Sequence, residues 1–171
     1  MRLERHIPDC RIRLEGQPLD LPVDAALVAA EVDLDDDLLG QCALLFIDRS
    51  LELTNGDRFQ SGSKVKVEMG FGSALAELFD GEVTALEPQF RRDKPPALRV
   101  VCHEALHRLA LSPMTRAFND VDDRDIATAI AQEHGLSADA PQGTKTHVLQ
   151  ANVSDAQFLR RRARELGNRI R

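Results

Sequence analysis

The sequence contains no tryptophan and no tyrosine, and its aromatic side chains are seven phenylalanines spread over 171 residues. Single-strand nucleic-acid binders stack bases on aromatic platforms along a basic groove. This chain is poor in such platforms, and its net charge of −6 has the wrong sign for a phosphate backbone. No nucleic-acid partner is expected. Cysteine is scarce too. Cys10, Cys42 and Cys102 lie far apart with no CxxC pair, which argues against a zinc ribbon or a thioredoxin-type site. An odd number of thiols fits reduced, buried cysteines in the cytosol. No run approaches the ~18 apolar residues that suggest a membrane-spanning helix. The opening MRLERHIPDC lacks the apolar core of a secretory signal. No membrane segment and no signal peptide are therefore expected. Internal repeats and low-complexity stretches are absent as well.

What is present fits a folded protein with a core: 43% apolar and 29% charged residues. The charge is uneven. Residues 1–100 carry 12 basic and 19 acidic side chains, whereas residues 101–171 carry 10 and 9. Two units with different surfaces are implied. The first hundred residues alternate with period two. Lys64-Val-Lys-Val-Glu-Met69 is the strictest case, with Val65, Val67 and Met69 on one face. Arg11–Leu14, Ala26–Leu34, Cys42–Ile47, Leu78–Leu86 and Leu98–Cys102 complete a set of short strands. Turn signals at Gly16, Pro18 and Asn55-Gly56-Asp57 and a loop at Arg91–Pro96 punctuate them. This is the pattern of a small sandwich or barrel. The period then becomes helical. Asp122 caps a helix with Asp125 three residues on, buries Ile126, Ala127, Ile130 and Ala131, and ends at Gly135. After a short strand at Thr146–Leu149, Ser154 caps a second helix with Gln157 completing a capping box. Phe158, Leu159, Ala163 and Leu166 form its apolar face, and Gly167 ends it. The expected fold class is α+β: an N-terminal antiparallel β-barrel unit over residues 1–104, then a small helical α/β unit over 105–171.

The sharpest chemical motif is His103-Glu104-Ala105-Leu106-His107. On a helix, His at i and i+4 share a face and can hold zinc, with the Glu as general base. The rival functional reading is therefore a zinc metallopeptidase using His103, Glu104 and His107. Against it, Cys102 continues the Leu98–Val101 strand and Ser112-Pro113 follows closely, so any helix is short. Ala110 and Pro113 also stand where the extended motif needs Gly and His. The run Arg160-Arg161-Arg162-Ala163-Arg164 has the charge to meet phosphate or an acidic partner, but it reads as a solvated helix face, with a subunit contact as the alternative. Arg162 alone falls inside the apolar stripe, where an arginine snorkels or pairs with a carboxylate. Asp33, Asp35, Asp36 and Asp37 lack the glycine and closing glutamate of a calcium loop. No helix carrying Lys-Ser/Thr follows Gly70 and Gly72, so they form no phosphate loop. No catalytic, cofactor-binding or metal-ligating residue is expected.

The order of several phrases carries a family resemblance. Phe79-Asp-Gly-Glu-Val-Thr-Ala-Leu-Glu-Pro-Gln-Phe90, Leu98-Arg-Val-Val-Cys-His-Glu-Ala-Leu-His-Arg-Leu109, Thr115-Arg-Ala-Phe118, Asp125-Ile-Ala127, Val148-Leu-Gln150 and Ser154-Asp155…Phe158-Leu159…Ala163…Gly167 follow one another as in the phage late-control D family. That family includes the hub part of VgrG-like spike proteins of contractile injection systems. The match covers about residues 40 to 168. It implies a structural, non-enzymatic protein whose barrel is related to the tube protein. It implies a baseplate hub, homotrimeric at full length, connecting tube protein above and spike protein below. It also implies a cytoplasmic protein during assembly that ends up in the phage tail or injection particle. In the resemblance His107 is the family's ordinary histidine, and His103-Glu104 replace an aromatic–Asp pair. Cys102 and Asn168 depart from the pattern, at a usual glycine and a usual aromatic. Family members continue into a second barrel, which the resemblance does not lead one to expect within these 171 residues.

Overall fold

The strict alternation at Lys64–Met69 forms a strand with Val65 and Val67 wholly buried and Lys66 turned to solvent. On that outer face Lys66 meets Asp80 at 2.6 Å and Glu77 at 3.1 Å on the neighbouring strand. The computed structural model describes residues 8–34, 40–71 and 74–167. Asp35, Asp36, Asp37, Gly72 and Asn168 lie outside the described residues. The chain forms two compact units, Met1–Glu104 and Ala105–Arg171.

The first unit holds β1 (Pro8–Leu14), β2 (Gln17–Pro18), α1 (Leu21–Asp24), β3 (Leu27–Asp33), β4 (Gln41–Ile47), α2 (Glu52–Asn55), β5 (Lys64–Phe71), β6 (Ala74–Gln89) and β7 (Ala97–His103). Its strands form one antiparallel sheet in the order β2-β1-β5-β6-β7-β4-β3. The sheet curls so that β1 and β3, far apart in that order, line one slot. Ile12, Leu44, Phe46, Phe59, Phe79, Val83, Leu98 and Val100 fill the interior. Phe46 and Phe59 pack with ring centroids 5.1 Å apart. Cys42 and Cys102 face each other across β4 and β7 in this core. Burial, with a neighbouring thiol adding to it, pushes both up to about 12. They stay protonated and unreactive at neutral pH.

α1 and α2 are single turns that sequence periodicity does not reveal. Asp48 organises the second. Its carboxylate accepts from Leu53 N at 3.2 Å, Thr54 N at 2.8 Å and the Thr54 hydroxyl at 2.7 Å. Burial alone would raise its pKa. The Thr54 hydroxyl and these amides outweigh that and hold the carboxyl below its ordinary range.

The second unit is a two-stranded antiparallel ribbon, β8 (Pro113–Val121) and β9 (Thr146–Ser154), with α3 (Asp123–Glu133), α4 (Asp155–Glu165) and a 3-10 helix at Ala105–Ala110. Leu109, Ile126, Ile130, Ala156 and Phe158 are its buried centre. Phe158 stacks on Phe118 with centroids 5.7 Å apart and rings 10° from parallel. The Asp122–Asp125 capping box is formed in both directions. At α4 the expected box is half made. The Ser154 hydroxyl accepts from Gln157 N at 3.3 Å, with no return bond from the Gln157 side chain among the described residues. Leu166, expected on the apolar face, is 49% exposed, because α4 ends at Glu165. The fold class is α+β, as expected. The strand at Pro113–Val121 is the element that sequence alternation does not show.

Candidate functional site

The histidine–glutamate motif does not lie on one α-helix. His103 is the last residue of β7, Glu104 follows the strand, and His107 sits in the 3-10 helix. The helical geometry that would put the two imidazoles on one face is therefore not formed. His103 and Glu104 hold backbone and side chain instead. His103 Nδ1 lies 2.6 Å from the Thr84 hydroxyl, which is also 3.2 Å from the Val101 carbonyl. With the hydroxyl proton given to that carbonyl, the imidazole donates from Nδ1. The Glu104 carboxylate accepts from Gly40 N at 3.2 Å, while Glu104 N donates to Gly40 O at 3.1 Å. A carboxylate clasped in this way ties the end of β7 to the start of β4.

Phe79-Asp-Gly-Glu-Val-Thr84 has a similar physical explanation. β6 crosses β7 here with a register shift between Val83 and Ala85. Phe79 and Glu82 are buried. A side chain at Gly81 would run into the His103 carbonyl oxygen and come 2.6 Å from the Phe79 ring. The glycine permits the close approach of the two strands. Gly81→Ala is expected to lower stability by about 1–3 kcal/mol through this overpacking, read as a lowered thermal midpoint with the far-ultraviolet spectrum retained.

In the second unit, one group of potential metal ligands converges among the described residues: Glu133, His134 and Asp155. The positive charge there is already supplied by Arg116. Its guanidinium reaches Glu133 at 2.5 Å and Asp155 Oδ1 at 2.6 Å, and its Nε reaches Gln150 Oε1 at 2.9 Å. Gln150 Nε2 donates to the same Asp155 Oδ1 at 2.7 Å and to the Val153 carbonyl at 2.9 Å. His134 Nε2 lies 2.8 Å from Asp155 Oδ2. Because a carboxylate only accepts, the ring carries a proton on Nε2. Burial raises the Asp155 pKa. The bonds from Gln150 and His134 and the charge of Arg116 outweigh it and hold the carboxyl low. A metal ion would have to displace a bidentate cation whose partners are satisfied. The network is suited to fixing β8, β9, α3 and α4 to one another. The sequence signals for it were Arg116 and the Ser154-Asp155 pair, neither of which suggests the other.

Arg162 pairs as expected with a carboxylate, binding Asp123 through Nε at 2.8 Å and Nη2 at 3.0 Å. Arg161 is exposed, as expected, and its guanidinium lies over the Phe158 ring, 5.8 Å from the centroid. Arg162 and Asp123 also border a cleft of about 320 Å³ walled by Leu106, Leu109, Leu136 and Leu159. Asp33 is exposed on β3.

The folded chain shares its architecture with tail proteins of phages and related machines. The 43 kDa tail protein of prophage MuSo2 from Shewanella oneidensis superposes with a TM-score of 0.68 at 13% identity, over 94% of this chain and 49% of that one. The tail protein from Neisseria meningitidis MC58 gives 0.60 at 12% identity, over 94% and 46%. The Escherichia coli c3393 protein is a component of the type VI secretion system with structural similarity to the T4 tail proteins gp27 and gp5. It gives 0.56 at 12% identity, over 86% and 41%. The chain spans about half the length of the tail proteins it matches. By sequence, the family model for the Alg8 N-terminal domain matches residues 10–170, and the chain belongs to that family. No curated protein matches it. The late-control D resemblance meets these structures at the level of the tail-protein fold. No helix of the described residues is long and apolar enough to cross a membrane.

Proposed function

We propose that the chain is a structural component of a phage tail or contractile injection machine, the part of a baseplate hub that connects tube and spike. In this reading Met1–Glu104 is the hub barrel and Ala105–Arg171 its small helical domain. The protein is made in the cytoplasm, associates as a homotrimer within the complete hub, and becomes part of the particle. The observation that carries the reading is the tail-protein architecture over 94% of the chain. The occupied state of the motif residues supports it. Thr84, His103, Glu104 and Gly81 serve strand crossings and backbone bonds, where a peptidase would need Glu104 poised over a metal-bound water.

Co-expression with the tube and spike proteins of the same gene cluster tests the proposal. Co-purification of either with the chain is the expected result, and failure of both to associate would overturn it. Zinc content separates this reading from the peptidase. The purified chain is expected to hold less than stoichiometric zinc, unchanged in His103→Ala. One tightly bound equivalent that the substitution removes would establish the rival.

A further inference from the structure

Among the described residues, the seam of the first unit brings an unpaired strand edge, an apolar lining and carboxylates without ion-pair partners into one place. Among the described residues β3 ends the sheet and pairs with β4 alone, and β1 near the opposite end pairs with β5 and, through Arg13–Leu14, with β2. Both border a slot of about 520 Å³ lined by Cys10, Leu27, Ala30, Met69, Phe71 and Leu78. Val28 and Phe71 beside it are 58% and 57% exposed. An edge of this kind presents a row of free N–H and C=O groups. Along β3, Ala30 and Val32 turn toward the core, while Glu31 and Asp33 turn to solvent. Neither carboxylate makes an ion pair among the described residues.

We propose that the β3 edge is a docking site for an extended strand of another protein whose inward residues are apolar and whose outward residues are lysine or arginine. Backbone hydrogen bonds to β3 supply the attachment. Alternate side chains enter the slot beside Ala30 and Met69, and the intervening cations lie against Glu31 and Asp33. Charge selects this occupant over a second copy of the chain. Antiparallel pairing of two β3 strands about Glu31 sets Glu31 against Glu31, and pairing about Val32 sets Glu31 against Asp33. Like charges directly opposite are destabilising. The inference deepens the assembly reading by naming the chemistry of a partner and rests on it. The test uses no tail component, so its outcome is independent of the co-purification experiment.

The probes are capped eight-residue peptides titrated into the full chain and followed by fluorescence anisotropy, with amide hydrogen exchange locating the site. An alternating valine–lysine peptide is expected to bind, to slow exchange across Leu27–Asp33, and to weaken as salt is raised. A valine–glutamate peptide should bind at least about tenfold more weakly, since two attractive pairs become repulsive. The doubly substituted Glu31→Lys/Asp33→Lys chain should reverse the preference. Both positions are exposed, so its thermal midpoint should stay near that of the parent chain. Proline in the middle of the lysine peptide should abolish binding by removing a ladder donor. Equal affinity for the two peptides, protection confined to other strands, or salt-independent binding would overturn the proposal. So would self-association of the chain through β3.

Discussion

Asp155→Ala is expected to unfold the second unit under conditions where the parent chain is stable. The side chain is 2% exposed and serves three partners at once. Its removal leaves the largely buried Arg116 with the exposed Glu133 as its remaining carboxylate among the described residues and strips fully buried Gln150 of an acceptor. Breaking one side of a buried pair costs about 3–5 kcal/mol, because the other charge stays desolvated. That is a large share of the stability of a small unit. Hydrogen exchange across β8, β9 and α4 should accelerate together. The same residue sets an acid limit. Its folded pKa is lowered, so its stabilisation is present in full above the ordinary value of 3.8. It is lost as pH falls from there through the folded value. A melt series from pH 6 to about pH 2 should show the second unit weakening in that window, and Asp155→Asn should flatten the dependence. A melting profile that is independent of pH in the parent chain would contradict this account of the network.

Phe158→Ala should be nearly as damaging. The ring is fully buried at the centre of the second core, stacked on Phe118 and covered by the Arg161 guanidinium. Truncating a buried phenylalanine costs about 3–5 kcal/mol from lost transfer energy and the cavity left behind. Phe158→Leu should recover much of that, since most of the volume is kept. Leu166→Ala, at a half-exposed residue just past α4, should shift the denaturation midpoint little. A Phe158→Ala loss below about 0.5 kcal/mol, within the range of ordinary surface substitutions, would show that this core does not hold the unit together.

The legible parts of this protein are those where the deciding interaction is local. Val65 and Val67 alternate with Lys64 and Lys66, and that pattern alone requires a strand with one buried face. Asp122 and Asp125 are three residues apart, which is the reach of a capping box. Arg162 lies in the apolar stripe of α4, and a charge there needs a carboxylate; chain order did not reveal that Asp123 provides it. β8 was hidden for the same reason. Its inward residue Arg116 breaks the apolar alternation, and its hydrogen-bond partners, the carboxylates of Glu133 and Asp155 and the amide of Gln150, are 17, 39 and 34 residues away.

The sequence by itself determined the strand-rich first part, the capped helices of the second and the α+β class, because side-chain period and capping act over a few residues. It also determined the acidic balance that sets the first part apart. Only the tertiary structure decided what the histidine–glutamate motif does. The same five letters on an α-helix would converge on a metal. Here a strand ends at His103, Gly40 claims Glu104, and Thr84 claims the His103 ring. The tertiary structure also decided which strand edge is unpaired among the described residues, since an edge is a property of strand order, and strand order is set by contacts distant in sequence.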